Sequence, residues 1–185
     1  MRVLAISGSL RRDSQSTMLL RAAAELLPAG VELELYSGLK EVPPYDQDDD
    51  AEPAPFAVAT LRAKVAAADA VLIATPEYNS SVPGALKNAL DWASRPFATN
   101  AFRSKPVAVL GSSAGMFGAV WAQADLRKVL AAMGARVVET DVTVGRAAEK
   151  FSADGTLLDE EIRGKLRDAV AGLLGETMQE RAEAA

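Results

Sequence analysis

A doubly wound α/β sandwich is the fold class this sequence predicts, and three observations carry it. Short apolar runs of strand length alternate along the chain with longer segments whose apolar residues fall at helical spacing. One of the runs, Ala70-Val71-Leu72-Ile73-Ala74-Thr75, is apolar almost throughout, as a central parallel strand covered on both faces would be. No internal repeat or linker breaks the 185 residues, a length that suits one domain burying roughly 70% of the surface its unfolded chain exposes.

The elements follow in order. Val3-Leu4-Ala5-Ile6 reads as a buried first strand, and Leu19, Ala22, Ala23, Leu26 and Leu27 mark the inner face of the helix after it. Pro28-Ala29-Gly30 breaks the chain before Val31-Glu32-Leu33-Glu34-Leu35, whose alternation fits a strand near a sheet edge. Periodicity is lost from Gly38 to Pro55. The acidic run Asp46-Gln47-Asp48-Asp49-Asp50 in that stretch reads as a solvated loop rather than a cation site, because no ligand spacing is enforced. A second helix over Ala54–Ala67 turns Val58, Leu61 and Val65 inward, and the third strand is the run from Ala70.

Pro83 opens a third helix with the stripe Ala85, Leu86, Ala89, Leu90 and Ala93. Pro106-Val107-Ala108-Val109-Leu110-Gly111 supplies the fourth strand. A fourth helix has Val120, Leu126, Val129, Leu130 and Met133 as core, with Gly134 as its cap. A fifth strand starts at Arg136-Val137-Val138 and extends toward Val144, and Asp154-Gly155 turns into a last helix with Ile162, Leu166, Val170 and Leu173 inward. The domain is thus expected over residues 1–175, with a polar, fraying tail over 176–185. Right-handed crossovers between five parallel strands favour the order 2-1-3-4-5, which brings the loops after strands one, three and four to one rim.

Composition removes whole classes of chemistry. The chain has no His and no Cys, which excludes serine–histidine and cysteine–histidine catalysis, thiol redox chemistry and the usual zinc sites. Difficult chemistry then falls to a bound cofactor. A net charge of −5 argues against a general nucleic-acid surface. No apolar run reaches the roughly 20 residues of a membrane span, and Met1-Arg2 leads straight into a strand without a secretory pattern, so cytoplasmic residence is the default.

The stretch Ser7-Gly8-Ser9-Leu10-Arg11-Arg12-Asp13-Ser14-Gln15-Ser16-Thr17 is a strand–loop–helix turn that gathers hydroxyls and guanidinium groups at a helix N-terminus. That setting suits a phosphate monoester. Neither the triphosphatase loop nor the three-glycine dinucleotide spacing is present. The second loop, Pro76-Glu77-Tyr78-Asn79-Ser80-Ser81-Val82-Pro83-Gly84, offers an aromatic and backbone amides to a flat ligand. The third, Ser112-Ser113-Ala114-Gly115-Met116-Phe117-Gly118, has small residues for close approach. Flavin mononucleotide (FMN) is the ligand that fits all three.

These residues carry a resemblance. Gly8-Ser9-Leu10-Arg11 with Ser14 and Ser16, Pro76-Glu77-Tyr78-Asn79, the segment from Pro83 to Trp92, and Ser112-Ser113-Ala114-Gly115 resemble the NADPH-dependent FMN reductase family from about Val3 to Val144. The resemblance implies a flavodoxin-like three-layer sandwich with a five-stranded parallel sheet. It implies that Ser9, Arg11, Ser14 and Ser16 bind the FMN phosphate, with a further hydroxyl from Thr17. Pro76, Glu77, Tyr78 and Asn79 would lie along the flavin ring, and Ser112, Ser113 and Gly115 would approach its other edge. Glu77 could instead join an intersubunit salt bridge.

The implied activity is ping-pong hydride transfer from NADPH or NADH through FMN to flavin, quinone, azo or metal-oxyanion acceptors, with no catalytic side chain beyond the flavin. A homodimer or homotetramer, joined through the helices around Ala85–Trp92, is the implied assembly. Trp92 and Trp121 are expected in the core or at such an interface. A non-enzymatic, flavodoxin-like electron carrier is the alternative on the same fold. A response-regulator receiver is disfavoured because Ser7-Gly8-Ser9 stands where paired acids would be needed.

Overall fold

In a computed structural model of the chain, which describes residues 1–183, the strands and helices alternate as the periodicities require. Their order is β1 (Arg2–Ser7), α1 (Gln15–Ala24), β2 (Glu32–Tyr36), α2 (Phe56–Ala67), β3 (Ala70–Thr75), α3 (Gly84–Ala93), β4 (Pro106–Ser112), α4 (Val120–Ala132), β5 (Arg136–Val138), β6 (Thr143–Val144) and α5 (Glu160–Glu183). All pairings are parallel, in the order β2-β1-β3-β4-β5, with β6 also paired to β4.

The side-chain alternation of the strands divides the interior into two cores. Val3, Ala5, Leu72 and Leu110 meet Leu19, Leu20, Leu166 and Leu173 of α1 and α5. On the other face, Leu4, Ile6, Ile73 and Val109 meet Val58, Leu61, Leu86, Leu90, Leu126 and Leu130 of α2, α3 and α4. Every residue of β3 and β4 is therefore buried, whereas edge strand β2 leaves Glu32 and Glu34 in solvent. Helix ends follow local chemistry: Ser14 Oγ accepts the Thr17 N–H at 3.2 Å to start α1, and Gly134 takes φ +86° to end α4.

Four local expectations change. The fifth strand is split, because Arg136–Val138 pairs with Pro106–Ala108 while Thr143–Val144 pairs with Gly111–Ser112. Between the two parts, Thr140 Oγ1 donates to the Val109 carbonyl at 2.5 Å and takes the place of a ladder amide. Arg127 then secures Thr140 by donating to its carbonyl at 2.9 Å. Val120 is 42% exposed, because α4 turns Ala122, Leu126, Leu130 and Met133 inward instead.

The expected tail is helical as far as Glu183, since Glu176 pairs with Arg136 at 2.5 Å and Thr177 Oγ1 donates to the Leu173 carbonyl at 2.6 Å. Ala184 and Ala185 lie outside the described residues. The two tryptophans part company. Trp92 is wholly buried, with its indole N–H donating to the Pro43 carbonyl at 2.8 Å, whereas Trp121 is exposed.

The aperiodic stretch before α2 is a tethered surface loop. Asn88 donates to the Pro43 carbonyl at 2.8 Å and accepts from the Tyr45 N–H at 2.7 Å, and Asp50 pairs with Arg62 at 2.8 Å. Its acids join no cluster suited to a metal ion among the described residues.

Gly111 is the tightest point in the sheet. A Cβ there would fall 2.2 Å from Gln123 Nε2 and 2.3 Å from the Gly118 carbonyl oxygen, so a side chain would push α4 and the loop before it off β4. Gly111→Ala is expected to destabilise the protein by about 1–3 kcal/mol, read as a lowered midpoint in urea unfolding with the slope unchanged.

Candidate functional site

The site grows from three strand ends that point the same way. Because β1, β3 and β4 are parallel, their C-terminal residues Ser7, Thr75 and Ser112 lie on one edge, where each gives way to a loop. Glycine permits the first two loops to touch. The Gly8 N–H donates to the Ala74 carbonyl at 2.8 Å, and a Cβ at Gly8 would meet Leu86 at 2.9 Å and Pro76 at 3.3 Å.

Hydroxyl groups shape the first loop from within. Ser7 Oγ accepts the Ser9 N–H at 3.4 Å and the Thr17 hydroxyl at 2.9 Å, while Ser9 Oγ accepts the Arg11 N–H at 3.3 Å. Ser14 caps α1, and Ser16 Oγ lies 2.8 Å from Ser112 Oγ in a buried bond that joins α1 to the end of β4. The N–H groups of Gln15 and Ser16, in the first helical turn, have no intrahelical acceptor and face the cleft with the positive end of the helix dipole. The Arg11 guanidinium makes no ion pair with a described carboxylate.

The second loop is a tight hairpin. Tyr78 and Ser81 exchange two backbone hydrogen bonds of 3.1 Å, and Asn79 and Ser80 take φ +51° and +60°, the signature of a two-residue turn with both central residues left-handed. The turn projects Tyr78, which is half exposed. Glu77 supplies a helix cap from a distance. Its Oε2 accepts the N–H groups of Trp121 and Ala122, each at 3.0 Å, at the start of α4. Ala119 just before that helix is left-handed and has no capping side chain, so Glu77 provides the acceptor the local sequence lacks. Ser81 Oγ adds a second tie to α4, donating to Asp125 at 2.7 Å.

The third loop is backed by β6. Ser113 N–H donates to the Val144 carbonyl at 2.9 Å and Arg146 N–H to the Gly115 carbonyl at 2.8 Å, while Ser113 Oγ accepts the Gly115 N–H at 3.0 Å. Gly118, at φ +58°, presses so close to the Thr143–Val144 peptide that a Cβ would lie 2.7 Å from it.

Together the loops enclose a cleft of about 150 Å³. Ser9, Arg11, Ser14, Ser16, Pro76, Glu77, Tyr78, Ser112 and Ser113 line it, as the sequence predicts, and Gln15 and Ala114 complete the wall. Thr17, Asn79 and Gly115 are held nearby but outside it: Thr17 bonds Ser7, Asn79 forms the hairpin turn, and Gly115 is bonded within its loop. Gln15 carries no motif signal, only its place in the first turn of α1. One end of the cleft is cationic and rich in free N–H groups, and the other has an exposed phenol ring beside backbone. This donor set fits a phosphate at the first end and a planar heterocycle at the second.

The fold and the cleft define a flavodoxin-like α/β protein that holds a nucleotide on the C-terminal edge of its parallel sheet. More particularly, the chain belongs to the NADPH-dependent FMN reductase family, whose model matches residues 1–149. An NAD(P)H-dependent FMN reductase of Pseudomonas aeruginosa is 42% identical over 173 residues, covering 93% of this chain and 92% of that protein. A 2-hydroxy-1,4-benzoquinone reductase of a Burkholderia species is 36% identical over 168 residues, covering 90% and 91% of the two chains. Among solved structures, the flavoenzyme FerB, an NAD(P)H:(acceptor) oxidoreductase from Paracoccus denitrificans, superposes with a TM-score of 0.86 at 35% identity, covering 96% of this chain and 97% of its own.

Removal of the remote cap gives a direct check on how loop and helix are joined. Glu77→Ala is expected to cost about 1–2 kcal/mol of stability, measured by denaturant unfolding. Glu77→Gln, which keeps an acceptor oxygen, should recover part of that loss.

Proposed function

We propose that the protein is an FMN-dependent NAD(P)H oxidoreductase with quinones as its principal class of acceptor. The observation that carries this reading is the cleft itself, in which the N-terminus of α1 and Arg11 stand at one end and the Tyr78 hairpin at the other. Bound FMN would supply the chemistry, taking hydride from the nicotinamide and passing reducing equivalents to the acceptor.

The residues of the chain bind and orient. Arg11, Ser9 and the first-turn N–H groups of α1 hold the phosphate, and the Ser14 and Ser16 hydroxyls fix the geometry of that turn rather than meeting the ligand head-on. Pro76, Glu77 and Tyr78 line the ring on one side, with Ser112, Ser113 and Ala114 on the other. No acid or base is asked of a side chain, in keeping with a sequence that has neither His nor Cys.

A homodimer or homotetramer is part of the reading, though not through the stripe on α3. Leu86, Ala89, Leu90, Trp92 and Ala93 are buried within the protomer. Met116, Phe117, Val120 and Trp121 are exposed instead beside the cleft, with Phe117 and Trp121 edge to face at 5.2 Å, and this apolar rim supports a contact between copies. No helix among the described residues is long and apolar enough to cross a membrane, and the use of reduced nicotinamide supports a cytoplasmic setting.

Anaerobic spectra of the FMN-loaded protein test the activity. Addition of NADPH or NADH should bleach the flavin bands, and a quinone should restore them. Unchanged spectra with both nicotinamides would remove the reading. Arg11→Ala is expected to weaken FMN binding by about 1.5–3 kcal/mol, followed by fluorescence titration. Sedimentation at micromolar concentration should give a multiple of the 19.4 kDa chain mass, and Trp121→Ser should shift it toward the single chain.

A further inference from the structure

A second cavity, of about 280 Å³, opens on the β2 side of the first loop. Ser9 and Arg11 line both it and the flavin cleft, so the two are neighbours across one loop. Arg12, Tyr36, Ser37 and Lys40 form much of the remaining polar wall. Nothing in the flavin reading uses these four.

Two independent features mark the cavity as a binding site. The first is charge. Arg11, Arg12 and Lys40 face one carboxylate, Glu41, which leaves three positive charges less one negative, or two in excess. None of the three cations makes an ion pair with a described residue. The second is an unmet hydrogen bond. Tyr36, the last residue of β2, is only 8% exposed, and its hydroxyl is the one buried side-chain polar atom without a partner among the described residues. Such a group loses its hydration on folding and gains nothing in return unless a ligand supplies the partner. Burial, reinforced by the charge of Glu41, raises the phenol above its ordinary pKa, so it remains a neutral donor. Gly38 makes room for it, since a Cβ at that position would stand 2.8 Å from the hydroxyl oxygen.

An excess of two positive charges beside a neutral O–H donor matches a phosphate monoester, which carries nearly two negative charges near neutrality. The end of the second strand is also where parallel nucleotide-binding sheets discriminate the 2′ position of a ribose. We propose that this cavity binds the adenosine 2′-phosphate of NADPH, so that Arg12, Lys40 and Tyr36 select NADPH over NADH. The inference rests on the oxidoreductase reading, in which a nicotinamide reaches the neighbouring cleft. Its adenosine end then lies across the first loop, with Arg11 between the two phosphate groups.

The experiment separates this inference from the reading beneath it. Calorimetric titration of the FMN-loaded protein with 2′,5′-ADP and 5′-ADP needs no turnover. The 2′-phosphorylated ligand should bind at least tenfold more tightly, and Arg12→Gln with Lys40→Gln should abolish the difference. Equal affinities in the unaltered protein, or a preference that survives the double variant, would overturn the assignment. Inorganic phosphate binding as tightly as 2′,5′-ADP would also overturn it, because the cavity would then be a free-anion site. Tyr36→Phe should lower 2′,5′-ADP affinity severalfold while leaving the melting temperature unchanged or raised, since the hydroxyl it removes has no partner in the free protein. A fall in stability with no change in that affinity would exclude Tyr36. In steady state, the ratio of kcat/KM for NADPH to that for NADH should drop at least tenfold in the double variant, and an unchanged ratio would count against the proposal. Failure of the unaltered protein to oxidise either nicotinamide would instead refute the oxidoreductase reading, with the titrations still deciding what the cavity binds.

Discussion

Parallel strands cannot be joined by tight hairpins, so each strand of this sheet is followed by a loop and most by a helix that returns the chain to the opposite edge. Everything that distinguishes one edge from the other follows from that. At the N-terminal edge the connections only return the chain. At the C-terminal edge, the loops after β1, β3 and β4 must lie side by side because their strands are neighbours. The cleft is therefore a result of strand order, and its chemistry a result of which residues occupy three short stretches.

Within those stretches the hydroxyl groups divide into two kinds. Ser7, Ser14, Ser16 and Thr17 are mostly spent on the protein itself, bonding backbone or one another and holding the first loop open around its own N–H groups. Recognition is left largely to backbone donors and to guanidinium groups free of acidic partners. A loop built this way is rigid before any ligand arrives, which lowers the ordering cost of binding. The same economy recurs in the third loop, where β6 supplies the bonds that fix Ser113 and Gly115.

Much of this was legible in the sequence because local and tertiary preferences agree. The apolar run of β3, the alternation of β2 and the helical stripe of α3 each have one reading, and the burial observed follows it. Legibility failed where a distant side chain takes over a local role. The split between β5 and β6 depends on Thr140 replacing a ladder amide, which no period in the sequence announces. Val120 looked like core because it is apolar, yet the register of α4 is set by Ala122 and Leu126. Nine of the predicted site residues line the cleft, whereas Thr17, Asn79 and Gly115 support it from behind. Tyr36 and Lys40 gave no signal at all, since a phenol closing an edge strand and a lysine in a turn are ordinary until folding places them against the first loop.

The remote cap supplied by Glu77 bears on how the molecule opens. One carboxylate joins the hairpin after β3 to the first turn of α4, two segments more than forty residues apart. Unwinding that turn leaves the carboxylate without its two donors, and swinging the hairpin outward leaves two amides without their acceptor. Each excursion thus removes part of what holds the other in place. The two segments consequently form a cooperative unit of local unfolding, which samples its open form together or scarcely at all.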